Sequence, residues 1–202
     1  MSAKDRRENE ILKMRQAILK AACDIASEEG WRAVTVRKVA EKVEYSPAAL
    51  YEYFASKEAI LLELMREGFR LLAQDMRAVP EGDNAVERLI AVAHSYWDFA
   101  FRHPELYQVM HGLGGVSFGT ADTPQEAKEG FVVLRDAVRA VFPGDSAAGR
   151  DLYDEVDTFW AMLHGLVSLT MAGRIKDGRE RAATLVEPAV AVYVAAWQKE
   201  ED

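Results

Sequence analysis

Apolar residues recur along this chain at helical rather than strand spacing, and turn residues mark where each run ends. Ile11, Ile18 and Ile25 return every seventh position with Leu12, Leu19 and Ala26 beside them, so residues 9–29 read as one amphipathic helix closed by Gly30. Thr35 is placed to cap a short second helix whose Val36, Val39, Ala40 and Val43 share one face. A tight turn at Glu44-Tyr45 follows. Ser46 then caps a third helix with Pro47 at its first position, where a missing N–H costs nothing; Ala49, Leu50, Tyr53 and Phe54 form its apolar side. Ser56 opens a fourth helix running to about Arg77, apolar at Leu61, Leu64, Met65 and Phe69. Two short helices joined by so tight a turn, against a longer first helix, predict a helix-turn-helix.

The pattern resumes after the break at Pro80-Glu81-Gly82-Asp83. A fifth helix over 84–102 carries Val86, Leu89, Ile90, Ala93, Trp97 and Ala100 on one face and ends at His103-Pro104. A short helix over 104–111, a Gly-rich loop over 112–124 and a helix over 125–141 follow. Residues 148–173 form a long helix with Leu152, Val156, Phe159, Leu163 and Leu166 on one face and Trp160, His164, Val167 and Met171 on the next. The last, 179–199, has Leu185, Ala189, Val192 and Ala196 on one side, Val186, Val190, Tyr193 and Trp197 on another, and a kink expected at Pro188. The fold class is therefore all-α, with about nine helices and no internal repeat. The expected division is a helix-turn-helix domain over 1–55 and a larger helical domain over 56–202, with helix 56–77 linking the two.

Composition narrows the function. Half of the 202 residues are hydrophobic, yet no uncharged apolar run reaches membrane-spanning length, and the start MSAKDRRENE has no apolar signal core. The single cysteine, Cys23, excludes an internal disulfide, and a cytoplasmic setting is expected. The net charge of −8 is unevenly spread: residues 1–70 hold 13 Lys and Arg against 12 Asp and Glu, while residues 71–202 hold 12 against 21. Only the first third approaches a polyanion without repulsion. Catalytic constellations are missing. The GLGG of 112–115 lacks the Gly-Lys-Ser/Thr ending of a phosphate loop. Cys23 lies inside a helix, and His94, His103, His111 and His164 offer no i, i+4 ligand pair. No cofactor and no metal is called for. The alternatives to a DNA-binding regulator are a helical protein-interaction adaptor and, behind it, a small helical enzyme.

The run TVRKVAEKVEYSPAALYEYFASKEAILLEL resembles the N-terminal domain of tetracycline-repressor-type (TetR) transcriptional regulators. The likeness rests on Thr35, Val39-Ala40, Leu50-Tyr51, Tyr53-Phe54 and Ser56-Lys57-Glu58, in order, over roughly residues 10–65. HPELYQVM and FWAMLHGLVSL resemble the subgroup whose effector domain bears a Trp-x3-His-Gly motif, here Trp160, His164 and Gly165. One position departs: Glu44 stands where the family turn usually has glycine, so either the turn differs or about 1 kcal/mol of left-handed strain is tolerated.

The resemblance implies phosphate contacts at Thr35, Tyr51 and Lys57, with Tyr53 at a position that often touches the backbone. The chemistry agrees, since a phenol, an ammonium and a helix N-terminus all donate to phosphate. The exposed start of the third helix, Ser46, Pro47, Ala48 and Ala49, is small enough to enter a major groove about 12 Å wide and touch thymine methyls. It has no arginine for guanine, so direct readout should be sparse. Arg37 is the candidate charged contact, and Tyr45 is placed against the sugar-phosphate wall. Lys4, Arg6 and Arg7 form a candidate N-terminal arm.

One such module makes too few contacts for a useful affinity, and dimers reading half-sites of a palindromic operator about 34–36 Å apart are the usual solution. The two-faced helices 148–173 and 179–199 are the expected homodimer interface. A small-molecule effector is expected in the second domain, among His94, Trp97, Phe101, Tyr107, Met110, His111, Phe131, Trp160 and His164. Trp160 and His164 share a helix face. No membrane partner is expected.

Overall fold

The computed structural model describes residues 2–112, 123–142 and 151–198; the sequence-predicted loop over 112–124 and the start of helix 148–173 fall largely outside them. The described residues form ten α-helices and a short 3-10 helix, with no strand among them. In chain order these are α1 (Ala3–Glu29), α2 (Val36–Lys42), α3 (Pro47–Leu50), α4 (Lys57–Arg77), α5 (Ala85–Arg102), α6 (Pro104–Gly112), α7 (Gln125–Arg139), α8 (Leu152–Met171), α9 (Gly178–Ala183) and α10 (Val186–Gln198). The 3-10 helix, Trp31–Ala33, bridges α1 and α2.

Contacts gather the chain into two compact units: Met1–Gly68 with Glu105–Val116, and Phe69–Pro104 with Ser117–Asp202. In the first unit the core is Ile18, Ala22, Ile25, Val34, Val39, Ala40, Leu50, Phe54, Ile60, Leu64 and Val109. The stripe on α1 is buried only from its middle onward: Ile18 and Ile25 are enclosed, whereas Ile11 and Leu12 are exposed. The helix also starts earlier than the periodicity predicts. Ser2 accepts from the Asp5 N–H while Asp5 accepts from Ser2, a reciprocal cap that starts the helix at Ala3. Lys4, Arg6 and Arg7 are therefore helical residues, not an extended arm. At Gly68 a Cβ would lie 2.5 Å from Sδ of the buried Met110, so the approach of α4 to α6 needs a glycine.

In the second unit α5 packs on α7, α8 and α10, and α8 packs on α7, α9 and α10. Asn84 caps α5 by accepting from the Val86 and Glu87 N–H groups, and Asp151 caps α8 by accepting from Tyr153. The buried arc of α5 is wider than its sequence stripe. Val92, Tyr96 and Phe99 are enclosed along with Leu89, Ala93, Trp97 and Ala100, as suits a helix with three neighbours. The expected kink at Pro188 is instead a break at residues 184–185, where Thr184 and Leu185 make i→i−3 bonds to Arg181 and Ala182. Proline has no N–H for the Thr184 carbonyl and its ring crowds it, so a new helix begins two residues earlier and keeps Pro188 in its first turn. Among the described residues no helix is long and apolar enough to cross a membrane.

Candidate nucleic-acid interface

The site is built from three helix starts. Thr35 Oγ1 accepts the Lys38 N–H and opens α2; Ser46 Oγ accepts the Ala49 N–H and opens α3, with Pro47 first; Ser56 Oγ accepts the Ala59 N–H at the start of α4. The α3 helix is a single turn. Tyr53 N–H bonds the Leu50 carbonyl at 3.0 Å, so the chain tightens immediately after it, while Leu50 and Phe54 anchor it to the core. Ser46, Pro47 and Ala48 stay exposed and Ala49 is half-buried, leaving a small face free on the outside.

The turn between α2 and α3 resolves the Glu44 question. Glu44 has φ 60°, in the left-handed region. Tyr45 N–H bonds the Ala40 carbonyl at 2.9 Å and Glu44 N–H bonds Glu41 at 3.2 Å. This crossed pair is a Schellman close, whose left-handed position glycine ordinarily fills. The left-handed strain at Glu44 is borne rather than avoided. Replacing Glu44 with glycine is expected to add about 0.5–1 kcal/mol of stability, raising Tm by about 1–4 °C, while Glu44→Ala keeps the strain. Thermal melts of the two variants side by side check this; equal stability would refute it.

Around α3 stand the other candidates. Tyr45 is 43% and Tyr51 55% exposed, large aromatics left outside the core. Tyr53 is half-buried and packs against the core. Lys57 reaches the Trp31 carbonyl through a long 3.4 Å contact, which brings the start of α4 near the 3-10 helix. Glu58 beside it is held below the usual carboxylate range, first by its own backbone N–H and then by the Ser56 hydroxyl. The α2 cations are paired within the chain: Arg37 with Glu41 at 3.0 Å, Lys38 with Glu29 at 2.6 Å and Lys42 with Glu28 at 3.1 Å. Such exposed pairs are worth about 0–1 kcal/mol, so Glu41 holds Arg37 only weakly. The sequence reading missed Arg15, whose guanidinium donates to the Tyr53 carbonyl just beyond α3. Arg15 lies within the α1 stripe, i+4 from Ile11 and i−3 from Ile18, and the stripe alone does not say what it meets.

The residues expected around an effector are divided between the two units. Tyr107, Met110 and His111 belong to the first unit, where Tyr107 and Met110 are buried and the Tyr107 and His111 rings lie 4.5 Å apart. The others belong to the second unit. There Trp97 and Phe101 rings are 4.6 Å apart with the Arg179 guanidinium over Phe101. Trp160 donates to the Tyr96 hydroxyl at 3.1 Å, and Phe131 stacks on Tyr153. His164 Nε2 lies 3.1 Å from Ser168 Oγ, and burial pushes its pKa down. The charged imidazole is disfavoured in the fold, so its contribution to stability is complete above the ordinary histidine range and is lost as pH falls through it. Of the expected set, only His94 lines a cleft of about 570 Å³; its walls include Asp75, Glu87, Asp98, Arg102 and Glu187. Ala78, Ile90 and Ala91 line the same cleft. Cys23 is half-buried, and burial raises its thiol to about 11, so it stays protonated at neutral pH.

Comparison with known proteins gives this arrangement its class. The family described as "Bacterial regulatory proteins, tetR family" matches residues 18–64, and "Tetracyclin repressor-like, C-terminal domain" matches residues 89–193, more than half of the chain. The chain belongs to the tetracycline-repressor-like family, whose members are transcriptional regulators rather than enzymes. It is similar to the uncharacterised HTH-type transcriptional regulator YdeS of Bacillus subtilis, 35% identical over 78 residues, 39% of this chain and 37% of YdeS. It is also similar to the HTH-type transcriptional repressor KstR of Mycolicibacterium smegmatis, 40% identical over 76 residues, 37% of each. The chain thus spans less than half the length of these curated relatives. The crystal structure of the putative regulatory protein SCO4313 superposes with a TM-score of 0.74 at 25% identity, covering 93% of this chain and 98% of that one.

Proposed function

We propose that the chain is a cytoplasmic, ligand-responsive repressor: a homodimer that occupies a palindromic operator and leaves it when a small apolar or aromatic effector binds. Residues 1–55 carry DNA binding, residues 56–202 carry effector binding and dimerisation, and helix 56–77 joins them. The observation that carries the reading is α3: one turn, capped by Ser46-Pro47, small outside, and flanked by the exposed phenols of Tyr45 and Tyr51. Such a helix enters a major groove while Thr35, Tyr51 and Lys57 hold phosphates on its flanks. Arg37 supplies the charged contact, and Tyr53 acts mainly through packing. The likeness to a named repressor supports repression by steric block.

Dimerisation is assigned to α8 and α10. On α10, Val186, Val190, Val194 and Trp197 pack inside the chain, while Val192 is 69% exposed beside Ala191, Ala195 and Ala196. On α8, Leu169 is 46% exposed and Ala161 is exposed. Two apolar faces turned outward on one unit suit a four-helix contact about a two-fold axis. The effector reading rests on the second-unit set of Trp97, Phe101, Phe131, Trp160 and His164. Release is a population shift whose coupling equals the effector's differential affinity for the two states, commonly about 1–3 kcal/mol.

Tyr51→Phe and Lys57→Ala test the DNA reading. Each removes one donor to a charged oxygen and is expected to weaken binding to a selected duplex about tenfold or more, with the fold intact by circular dichroism. Lys57→Ala should also flatten the log–log salt dependence by about 0.9, the slope that one neutralised phosphate carries. Wild-type affinity and slope in both variants would remove the backbone assignment.

A further inference from the structure

The position of Arg15 calls for an explanation that helix amphipathicity does not give. It lies mid-way along α1 with its side chain 33% exposed, and its planar cation makes three contacts, with the adjacent Tyr53 and Phe54 beyond α3 and with Glu63 on α4. One Nη donates to the Tyr53 carbonyl at 2.7 Å. The other Nη lies 3.6 Å from a Glu63 carboxylate oxygen on α4. The guanidinium carbon sits 4.1 Å from the centre of the Phe54 ring. Arginine alone combines a fixed fork of donors with a face that stacks on an aromatic, and lysine cannot make all three contacts together.

A one-turn helix does not set its own direction. The entry of α3 is fixed by the Schellman turn and the Ser46 cap, and its exit must be fixed by what holds residues 51–54. Leu50 and Phe54 bury the inner side, but burial is non-directional. The Arg15 hydrogen bond to the Tyr53 carbonyl is directional, and the Glu63 carboxylate and the Phe54 ring fix the donor itself. We infer that Arg15 is a positioning residue for DNA recognition, fixing the angle at which α3 is presented and so setting sequence discrimination rather than overall attraction to DNA. This rests on the reading of α3 as the groove-entering helix. Non-specific attraction comes from phosphate neutralisation, and the Arg15 charge, on a side chain 33% exposed, already faces the Glu63 carboxylate at 3.6 Å. Discrimination comes from placing a small helix face against base edges, where tilt matters most.

The test uses the full chain and two probes: a duplex selected by the wild-type protein from a random pool, and a random-sequence duplex of the same length at low salt. The ratio of the two affinities is the readout. Arg15→Met is expected to lower that ratio by about tenfold or more while random-duplex affinity changes by less than about twofold. Arg15→Lys, which keeps the charge and one donor, should fall between Met and wild type; if Arg15→Met fails to fold, it decides the matter. Glu63→Gln keeps the Tyr53 bond but removes the carboxylate that orients the donor and offsets its charge, so its ratio should fall between those of Arg15→Met and wild type. A purely structural role would lower Tm and both affinities together with the ratio unmoved, and that result overturns the inference. Wild-type protein that binds the random duplex but selects no preferred sequence also overturns it. Wild-type protein that binds neither probe removes the DNA reading on which it stands.

Discussion

Val192→Asp is expected to yield a folded monomer that no longer holds its operator. Val192 is 69% exposed in the isolated chain and sits opposite the buried Val190 and Val194 on α10, so the aspartate is solvated in the monomer and strains nothing. In the proposed dimer the same position is enclosed, and two-fold symmetry places two aspartates there. Each forfeits about 1.5–3 kcal/mol of valine burial and adds a desolvated, unpaired carboxylate costing several more. The sum, on the order of 6 kcal/mol or above, corresponds to about four powers of ten in the dimer constant. One protomer then reads one half-site, and operator affinity should fall at least a hundredfold, roughly the loss expected when half of the phosphates are no longer neutralised. Sedimentation velocity measures the first change and a gel or anisotropy titration the second. A Val192→Asp protein that remains dimeric would move the interface away from α10.

The DNA half was more legible in the sequence than the effector half, and the difference has a physical cause. Thr35, Ser46-Pro47 and Ser56 announce helix starts through local chemistry: a side-chain oxygen needs only the N–H three residues on. Glu44 was visible as a departure from glycine, and its φ of 60° follows from the Schellman close around it. Arg15 was not visible, because its partner lies 38 residues away and nothing local requires the contact. The Ile11 end of the heptad stripe also misled, since periodicity records which residues would share a face but not where a covering helix stops.

The effector set shows the same limit more sharply. Aromatic and methionine residues at helical spacing fill cores and pockets alike. Tyr107 and Met110 turn out buried in the first unit, and the Trp160 indole N–H donates to the Tyr96 hydroxyl. Pro188 was legible as a disturbance, yet whether a chain kinks or restarts depends on tertiary contacts, and here α10 restarts with the proline in its first turn. That restart leaves two faces on α10, one packed inward through Val186, Val190 and Trp197 and one outward at Val192.

The inward face carries the largest expected loss of stability, at Trp197. The indole is 1% exposed and makes ring contacts with Tyr193 at 5.7 Å, Phe142 at 6.0 Å and Phe159 at 6.1 Å. Its Nε1–H donates to a Glu155 carboxylate oxygen at 2.9 Å, tying the end of α10 to the first turn of α8. Trp197→Ala empties the largest fully buried side chain among the described residues and should cost about 3–5 kcal/mol. For a chain of this length that corresponds to a fall in Tm of about 6–20 °C. Trp197→Phe separates the two contributions: it keeps most of the ring packing and loses the charge-assisted bond, worth about 1.5–3 kcal/mol. Near-UV circular dichroism distinguishes this variant from Val192→Asp, because the aromatic cluster is disturbed in one and intact in the other. If Trp197→Ala melts within about 2 °C of wild type, the cluster is not what holds α8 to α10. The rigidity of the outward face would then need another source, since a dimer surface built on a loosely held helix must order that helix before it can pair.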